Sequence, residues 1–391
     1  MKRDTIDQSK IDQRKTDQRK TDQGKNENAN QKEINRNENS NQTDINRRQF
    51  LSRSIRTGLA VASVGAVGYL FHDPKASSTS SINLNADHVT SLKSINSDLS
   101  KDNSNSTQSS DIWTIPDFSI PEQAGKLAIV RGEDRTKTLD AALKALGGID
   151  KFIKDGDVVL IKVNAAFAVS PILSATTHPD ILSKMIRICY NAGAKKVKVT
   201  DNPINDPASC FLLTGIEAAT KQNGADLILP RDEYFENFTL ENGRLIKEWP
   251  VLKTPFDGVT KLISMAPIKD HHRSGASMIL KNGYGLLGGR RNIFHQDIHT
   301  IITELARMVK STLVVLDGTN TMMTNGPTGG SLSDLKPTHT LIVGTDPVAV
   351  DSFGATLLGK NHQDLPHLIQ ASANGVGTVD YLSLKPAILS I

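Results

Sequence analysis

Short apolar runs alternate with helix-like segments from about residue 120 to the end of the chain. Runs with the length of a strand occur at residues 126–132, 157–164, 196–202, 226–230, 261–268, 312–318 and 340–346. Apolar residues recur at helical spacing over residues 134–146, 178–194, 209–223 and 346–359. Continuous Val, Ile and Leu runs are typical of strands that are covered on both faces. The pattern predicts an α/β fold with a mainly parallel or mixed sheet and helices on both faces, and residues 231–292 leave room for a small inserted subdomain.

The first part of the chain has no such pattern. Residues 6–25 repeat a five-residue unit, IDQSK IDQRK TDQRK TDQGK, and an Asn-rich run follows. So few apolar side chains cannot offset the entropy of ordering, which predicts a disordered tail over residues 1–45 and disfavours a solvated helix there. A Ser- and Asn-rich linker is predicted over residues 76–118. Residues 119–391 are then predicted to form a single α/β domain.

Positive charge is concentrated in the N-terminal segment. Residues 1–57 hold 14 Lys and Arg against 9 Asp and Glu, whereas the whole chain has a net charge of only +4. The predicted domain is therefore close to neutral. A basic surface is the usual mark of a nucleic-acid partner, so no nucleic-acid partner is predicted.

An export signal is predicted over residues 46–75. The pair Arg47 and Arg48 stands before a Phe-Leu pair and an apolar run over residues 57–71, which resembles a twin-arginine signal. The run is shorter than the roughly 20 residues of a membrane span; an amphipathic or buried helix is the alternative. The prediction implies the twin-arginine translocation machinery as partner and a periplasmic or other extracytoplasmic location. An uncleaved signal would anchor the protein, and membrane contact is predicted only through this segment.

The chain has two cysteines. Cys189 lies in a helical pattern, where a small core residue is expected, and Cys210 follows a loop rich in Pro, Asn and Asp. A disulfide between them is left open, since spacing alone does not determine pairing. Two thiols are too few for a four-cysteine cluster, so no iron–sulfur cluster held by this chain is predicted.

Polar residues end several of the predicted strands. Asn164, Asp201, Asp317 and Asp346 each stand at the end of an apolar run. The carboxyl ends of parallel strands share one edge of the sheet, where ligands bind in α/β folds. Three carboxylates and an amide at that edge would suit a hard cation or a polar substrate. The alternatives stay open: Asp346 precedes Pro347 and fits a helix N-cap, and the other two aspartates fit turns.

A second polar cluster follows the run at 261–268. Residues 269–273 read KDHHR and are predicted to lie at the carboxyl end of that strand. Ammonium groups and imidazoles there suit an anionic or metal-bound ligand, whereas a solvated turn is the alternative. His295 and His299 are four residues apart, as on one face of a helix, but HQDIH lacks the glutamate of the HExxH motif. His295, nearer the glycine-rich loop, is the favoured candidate.

The motifs resemble a family of bacteria and archaea called domain of unknown function 362. The matching stretches, in order, are KVN at 162–164, TTHPDIL at 176–182, GAKKVKVTDNP at 193–203, KDH at 269–271, LKNGYG at 280–285, His295, VVLDGTNTMMTNGPTGG at 314–330 and GTDPVAVDSFGATLLG at 344–359. Members often carry a twin-arginine signal or ferredoxin-like cysteine motifs, and this chain lacks the cysteines. The resemblance implies no settled reaction, and it directs attention to Lys162, Asn164, His178, Lys269, His271, Lys281, Asn282, His295, Asp317, Asp346 and Asp351.

Two functions are compatible with these residues. The first is an exported enzyme that depends on a metal or a polar ligand and has its site at the carboxyl edge of the sheet. The candidate catalytic residues are His271, His295, Lys269 and Lys281; the candidate substrate-binding residues are Lys162, Asn164 and Asn282. A divalent metal is the candidate cofactor, with ligands from Asp317, Asp346, Asp351, His271 and His295. The second is a non-catalytic binding or accessory protein, with a separate redox protein as candidate partner.

Asp351 helps to distinguish the two. It follows Asp346 by five residues inside an apolar helical pattern, and a buried carboxylate is costly unless it is paired. A pairing of Asp351 with Lys162, Lys281 or a metal would favour a built site, whereas a solvent-facing Asp351 would favour an ordinary surface helix.

Overall fold

The computed structural model of the chain describes residues 113–391. The predicted tail over 1–45, the predicted signal over 46–75 and all but the end of the predicted linker over 76–118 lie outside the described residues. Within the described range, no helix has both the length and the apolar character needed to cross a membrane. The apolar run predicted as part of the signal is not in that range.

Within residues 113–391, nine strands form one mixed sheet. Their bounds are β1 Leu127–Arg131, β2 Val158–Lys162, β3 Lys196–Thr200, β4 Asp226–Ile228, β7 Lys261–His271, β8 Gly275–Ser277, β9 Leu313–Met322, β10 Leu335–Gly344 and β11 Ala387–Ser390. The order across the sheet is β11-β1-β10-β9-β7-β2-β3-β4, and β8 pairs with β7. Two further strands, β5 Phe235–Phe238 and β6 Trp249–Leu252, pair with each other in a small antiparallel sheet.

The described part of the chain also contains eight α-helices. Their bounds are α1 Arg135–Ala145, α2 Pro179–Asn191, α3 Pro207–Leu213, α4 Ile216–Gln222, α5 Ile279–Asn282, α6 Ile298–Met308, α7 Pro347–Leu357 and α8 Pro366–Ala373. Several begin at a side-chain cap followed by proline, as α2 does at His178 and α7 does at Asp346. Proline suits the first helical position because its missing N–H has no partner there in any case.

The sheet is mostly parallel, as predicted. β4, β3, β2, β7 and β9 all run in one direction, and β10 is antiparallel to β9 and to β1. The carboxyl ends of β2, β3 and β7 therefore meet at one edge. The prediction of an α/β fold with a mixed, mainly parallel sheet is confirmed.

Both faces of the sheet are covered by apolar packing. Along β2, Leu160 joins one core, and its neighbours Val159 and Ile161 join the other. Successive side chains of a strand point to opposite faces, so a strand buried on both faces must be apolar at every position. Each fully buried Leu or Ile contributes about 1.5–3 kcal/mol relative to exposure. This burial holds the central strands in place and fixes where each strand ends.

The segment predicted as one helix over 209–223 is two helices. α3 ends at Leu213, and Gly215, with φ at +74°, precedes α4. A left-handed backbone is favourable only for glycine and a few other residues. A Cβ at Gly215 would also come within 3.2 Å of the Pro179 ring. The periodic apolar pattern continues across the break, which is why it predicts a single helix.

The two cysteines are not joined. Cys189 and Cys210 are both free and buried. Burial raises the pKa of Cys189 to about 12 and that of Cys210 to about 11. A thiol with such a pKa is a poor nucleophile at neutral pH, so both act as small core residues.

Candidate functional site

The polar cluster at 269–273 belongs partly to a strand. β7 extends through His271, and Lys269 and His271 pair with β8 residues across a tight hairpin. Because side chains alternate along a strand, Lys269 and His271 lie on one face. Asp270 lies on the other, where its carboxylate is 3.2 Å from Lys360 Nζ. The strand continues past its apolar run because the hairpin supplies backbone partners for the polar positions.

A cavity of about 550 Å³ opens at the carboxyl edge of the parallel strands. Its walls come from the ends of β2, β3 and β7, from α5 and from the loop that follows α5. All seven residues predicted to be catalytic or substrate-binding line it: Lys162, Asn164, Lys269, His271, Lys281, Asn282 and His295. Of the carboxylates in residues 113–391, only Asp201 lines the cavity. The cavity is therefore rich in cationic groups.

Lys162 and Asp201 form a buried ion pair at the base of the cavity. Lys162 Nζ lies 2.8 Å from Asp201 Oδ1. It also donates to the side-chain oxygen of Asn282 and to the carbonyl oxygen of Val163, both at 2.9 Å. Burial lowers the pKa of Lys162, and the adjacent carboxylate opposes that shift. Each of the three N–H groups of the ammonium therefore has an acceptor within the protein.

Gly285 is required by this ion pair. A Cβ on Gly285 would lie 1.8 Å from Asp201 Oδ1 and 2.6 Å from Lys162 Nζ. The Gly285 carbonyl oxygen also accepts from Asn202 N at 2.9 Å. Gly285 of the NGYG stretch therefore allows the loop to approach the end of β3.

Lys269 is buried, and it has no ion-pair partner among residues 113–391. Its side chain belongs to the wall of the cavity, although the residue is only 1% exposed. Nζ donates to the Ala175 carbonyl oxygen at 2.6 Å and lies 5.3 Å from the centre of the Phe167 ring. Burial first, and then the charge of Lys281, lowers the pKa of Lys269 to about 7. A large share of Lys269 is thus neutral at physiological pH.

Lys281 and Asn282 are carried by the short helix α5. The Asn282 amide nitrogen donates to Ser264 Oγ at 3.0 Å and to the Met265 carbonyl oxygen at 3.2 Å, which ties α5 to β7. Lys281 Nζ instead faces the cavity, 4.8 Å from the centre of the Tyr284 ring. Burial and the nearby Arg291 lower the pKa of Lys281 to about 8. Lys281 therefore keeps most of its charge at neutral pH.

His271 is a neutral hydrogen-bond donor. Its Nδ1 accepts from the backbone N–H groups of Arg273 at 3.2 Å and Ser274 at 3.3 Å. The proton of the neutral ring is therefore on Nε2. Burial, followed by the charge of Lys281, lowers the pKa of His271 to about 2. The ring is stacked on those of His272 and His295, with centroids 5.0 and 6.1 Å away.

His295 lies in a 3₁₀ segment before α6, at the rim of the cavity. Its Nδ1 is 3.4 Å from the Tyr284 hydroxyl and 3.2 Å from the Asn292 carbonyl oxygen. Burial and the charge of Lys281 lower the pKa of His295. His295 is half-buried, whereas His271 is buried. His295 is therefore the member of this stacked pair that solvent can reach.

His299, the other histidine of HQDIH, belongs to a different cluster. Its Nδ1 is 3.2 Å from His367 Nδ1, and the two rings are stacked. His178, which the family resemblance also indicated, caps α2 by accepting from Asp180 N at 3.2 Å. Neither residue lines the cavity.

Arg291 is a structural element of the site that sequence reasoning missed. Within the described residues its guanidinium donates only to backbone carbonyl oxygens, two in the loop after α5 and two after β3, at 2.6–3.1 Å. It therefore fixes the two loops that form one side of the cavity. The only signal in the sequence is the arginine pair after the glycine-rich loop, and that pattern does not reveal which carbonyl groups will converge.

The predicted metal ligands are not brought together. Asp317 accepts from Arg135 Nε at 2.9 Å, and Asp346 accepts from the backbone N–H groups of Ala349 and Thr378, both at 2.9 Å. Neither lines the cavity. In residues 113–391, no group of three or more His, Cys, Asp or Glu side chains is arranged to hold a metal ion. A divalent metal stays a prediction, and the set Asp317, Asp346, Asp351, His271 and His295 does not form its ligand shell.

Asp351 has a third role that the sequence did not suggest. It is buried, and its two oxygens accept from the backbone N–H groups of Ile279 and Leu280, both at 2.9 Å. Burial raises the pKa of Asp351 to about 7, and the two hydrogen bonds oppose that shift. Asp351 thus caps α5 and positions Lys281 indirectly, and within residues 113–391 it pairs with neither Lys162 nor Lys281.

Comparison with known proteins places the chain in a family. It is 23% identical over 242 residues to the thylakoid-associated protein sll1697 of Synechocystis sp., covering 59% of this chain and 71% of that protein. The apoprotein structure of lactate racemase from Thermoanaerobacterium thermosaccharolyticum aligns at 14% identity with a TM-score of 0.29, over 52% of each chain. About half of that structure's length is matched. Residues 159–356, which are half of the chain, match the domain of unknown function DUF362, and the protein therefore belongs to the DUF362 family.

Proposed function

We propose that this protein is an exported enzyme that binds a small anionic substrate in the cavity at the carboxyl edge of the sheet. One observation carries the proposal: three lysines reach this cavity, and only Lys162 has a carboxylate partner within residues 113–391. Lys269 and Lys281 have no such partner there and are available to bind a ligand. A buried cationic group without a partner is costly, and an anionic ligand would remove much of that cost.

The cavity also offers groups that could move protons. A catalytic acid or base works best when its pKa lies near the working pH. Burial brings the pKa of Lys269 to about 7 and that of Lys281 to about 8. Perturbed groups that converge in one cavity are typical of active sites. We assign proton transfer to the two lysines, and substrate orientation to the Nε2–H of His271.

His295 and Asn164 complete the proposed site. His295 is half-buried at the rim, where it could exchange protons with solvent. The Asn164 side chain lies at the cavity wall, and within residues 113–391 its amide nitrogen makes no hydrogen bond, so it could donate to a ligand. The amide of Asn282 and the ammonium of Lys162 are used by the protein itself and would shape the base of the site.

Export is the second part of the proposal. Its support is the arginine pair Arg47 and Arg48 followed by the apolar run over residues 57–71. The Synechocystis relative's name, thylakoid-associated, is support from outside the chain for a location at or beyond a membrane. Fractionation of cells that express the chain with Arg47→Lys and Arg48→Lys checks it. The double variant should stay in the cytoplasm, and export at the level of the unchanged chain would contradict a twin-arginine route.

Thermal unfolding of the full chain tests anion binding. Malonate and inorganic phosphate serve as probes, because a ligand that binds the folded state raises Tm with concentration. The rise should be clear for the unchanged protein and much smaller for Lys281→Met. Lys221→Met is the matched control: this lysine is exposed on α4 and pairs with Glu217, so its loss should leave the rise unchanged.

Two outcomes would count against the proposal. If neither probe raises Tm, or if Lys281→Met keeps the full rise, the cavity is not an anion site that uses Lys281. If anions bind but nuclear magnetic resonance shows no chemical change in any of a panel of small carboxylates, a non-catalytic binding protein becomes the better description.

A further inference from the structure

We propose that Lys269 is a nucleophile that forms an imine with an oxo acid, a small molecule that carries both a carbonyl group and a carboxylate. The inference rests on the proposed function and names its substrate class. Its basis is that one cavity holds both an amine with no carboxylate partner within residues 113–391 and separate donors suited to a carboxylate.

The surroundings of Lys269 suit an amine better than an ammonium ion. Nζ has one hydrogen-bond acceptor, the Ala175 carbonyl oxygen at 2.6 Å, and none of the ion pairs in residues 113–391 includes it. The neutral amine satisfies this acceptor with one N–H and keeps its lone pair free. Burial and the neighbouring Lys281 lower the pKa of Lys269 to about 7. Desolvation next to a second cationic group is an established way to activate a lysine nucleophile.

Lys162, a second buried lysine that lines the cavity, has different surroundings from those of Lys269. Lys162 is also buried and also lines the cavity, but it has Asp201 at 2.8 Å and two further acceptors. Its nitrogen is therefore held in the protonated form, which has no free lone pair. Of the two buried lysines at the ends of β2 and β7, only Lys269 is arranged to react.

The donors around Lys269 would hold the carboxylate of an oxo acid. Lys281 Nζ faces the same cavity and keeps its charge, since its pKa is lowered only to about 8. His271 is two residues from Lys269 on one face of β7, and its Nε2–H is a neutral donor because Nδ1 is occupied by backbone N–H groups. Charged and neutral donors together suit a carboxylate. The carbonyl carbon would then lie towards Lys269.

The covalent step balances without a further reagent. The Lys269 lone pair forms a C–N bond to the carbonyl carbon, and the C=O π electrons move to oxygen. One proton passes from that nitrogen to the oxygen and gives a neutral carbinolamine. The Lys281 ammonium then donates a proton to the hydroxyl, and the C–O bond breaks with release of water. The nitrogen lone pair completes a protonated imine that keeps one N–H.

The product suits the same surroundings. The protonated imine has a single N–H, which matches the single acceptor offered by the Ala175 carbonyl oxygen. Its positive charge would lie near the face of the Phe167 ring, which is 5.3 Å from Nζ. An aromatic face stabilises a desolvated cation, so the charge created by the step is accommodated.

Borohydride trapping on the full chain tests the inference. The protein is incubated with pyruvate or acetoacetate and reduced with sodium borohydride, and the modified peptide is identified by mass spectrometry. We expect one stable adduct, on Lys269, whose yield increases as the pH rises through about 7. The adduct should be lost in Lys269→Met and kept in Lys198→Met, a mostly buried lysine that donates to the Asp257 carbonyl oxygen at 2.6 Å. Because the site is mapped on the unchanged protein, the result does not depend on the folding of a variant.

The outcomes separate this inference from the proposed function. An adduct on Lys162 or Lys281 in place of Lys269 overturns it. A rise in Tm with pyruvate but no adduct overturns the imine and leaves anion binding in place. A response to malonate or phosphate but none to either oxo acid overturns the substrate class alone. No response to any of these anions removes the proposed function, and this inference with it.

Discussion

The three lysines that line the cavity differ in the groups that contact Nζ. Lys162 donates to three acceptors, one of them a carboxylate. Lys269 has one carbonyl oxygen, and Lys281 faces the aromatic ring of Tyr284. In the two proposals made here, Lys162 therefore has a structural role, Lys269 is the reactive amine, and Lys281 binds the anion and donates a proton.

Replacing Lys269 should stabilise the fold in a pH-dependent way. Its pKa is about 7 in the folded protein against 10.5 without burial. Between these values the unfolded chain binds the extra proton, so the free energy of unfolding rises with pH. Lys269→Met removes this dependence. In urea unfolding, the variant should be more stable than the unchanged protein. The difference in the free energy of unfolding should be largest below about pH 7. It should then shrink towards pH 10.5, by at most about 1.4 kcal/mol per pH unit.

A matched control makes this result interpretable. Lys151 is exposed, and Lys151→Met should leave the free energy of unfolding and its pH dependence close to those of the unchanged protein. A gap between Lys269→Met and the unchanged protein that is constant from pH 7 to 10 would contradict a lowered pKa for Lys269. Loss of stability at every pH would show that the hydrogen bond to the Ala175 carbonyl oxygen outweighs the cost of burying the lysine.

At the residue scale, sequence reasoning grouped the cationic residues that line the cavity, but it also grouped with them Asp317, Asp346 and Asp351, which lie elsewhere. Lys269 and His271 could be grouped because they follow an apolar strand, and strand ends share an edge. Asp346 could not be excluded in this way, since an aspartate before proline is as suited to capping a helix as to lining a site, and nothing in the sequence indicated that Asp351 caps another helix. Their hydrogen bonds to Thr378 and Ile279 join distant parts of the chain, and no local pattern records such a contact.

At the scale of elements, α5 connects the core to the site. This helix is only four residues long, and so short a helix is not stable by itself. Asp351 on α7 accepts from its first two N–H groups, and Asn282 ties its end to β7. The position of Lys281 in the cavity therefore depends on a carboxylate on another helix.

Removing the Asp351 carboxylate should weaken both the fold and the site. Asp351→Ala leaves two buried N–H groups without an acceptor, at a cost of about 1–3 kcal/mol each, partly offset because no carboxyl group is then buried. Urea unfolding should show a net loss, and the rise of Tm with malonate should shrink because Lys281 is no longer held. The control is Asp206→Ala, which removes an exposed cap of α3. This variant should lower stability less than Asp351→Ala does, and its response to malonate should be intact. An unchanged malonate response in Asp351→Ala would show that α5 is held by other contacts.

Element prediction succeeded where burial alone determines the pattern. β2 and the first half of β9 are apolar on both faces, and β3 alternates valine with polar residues, so their sequences are recognisable as strands without tertiary information. β8 has three residues, and β11 is largely exposed, so neither has an apolar pattern to detect. The polar end of β7 was missed for a related reason: its residues are in a strand because β8 pairs with them, and that pairing depends on the hairpin.

At the scale of the whole molecule, the sheet joins segments from both ends of the described chain. β1 and β11 come from residues 127–131 and 387–390, and they pair side by side next to β10. The cavity lies in the other half of the sheet, among β2, β3 and β7. Residues 159–356, which match DUF362, therefore contain the cavity but not the strands that complete the sheet.

A fragment limited to residues 159–356 should fail to fold cooperatively. It lacks β1 and α1, whose large buried side chains are Leu127, Ile129, Val130, Leu139 and Leu143. Burial of each contributes about 1.5–3 kcal/mol, so their sum is comparable to the net stability of about 5–15 kcal/mol that is typical of a whole protein. Without β1, β10 would also present an unpaired edge, and exposed edges promote association. Urea unfolding followed by circular dichroism should show a sharp transition for residues 113–391, and a broad one with association for the fragment. A sharp transition in the fragment would show that the parallel half of the sheet, with its cavity, is an independent folding unit.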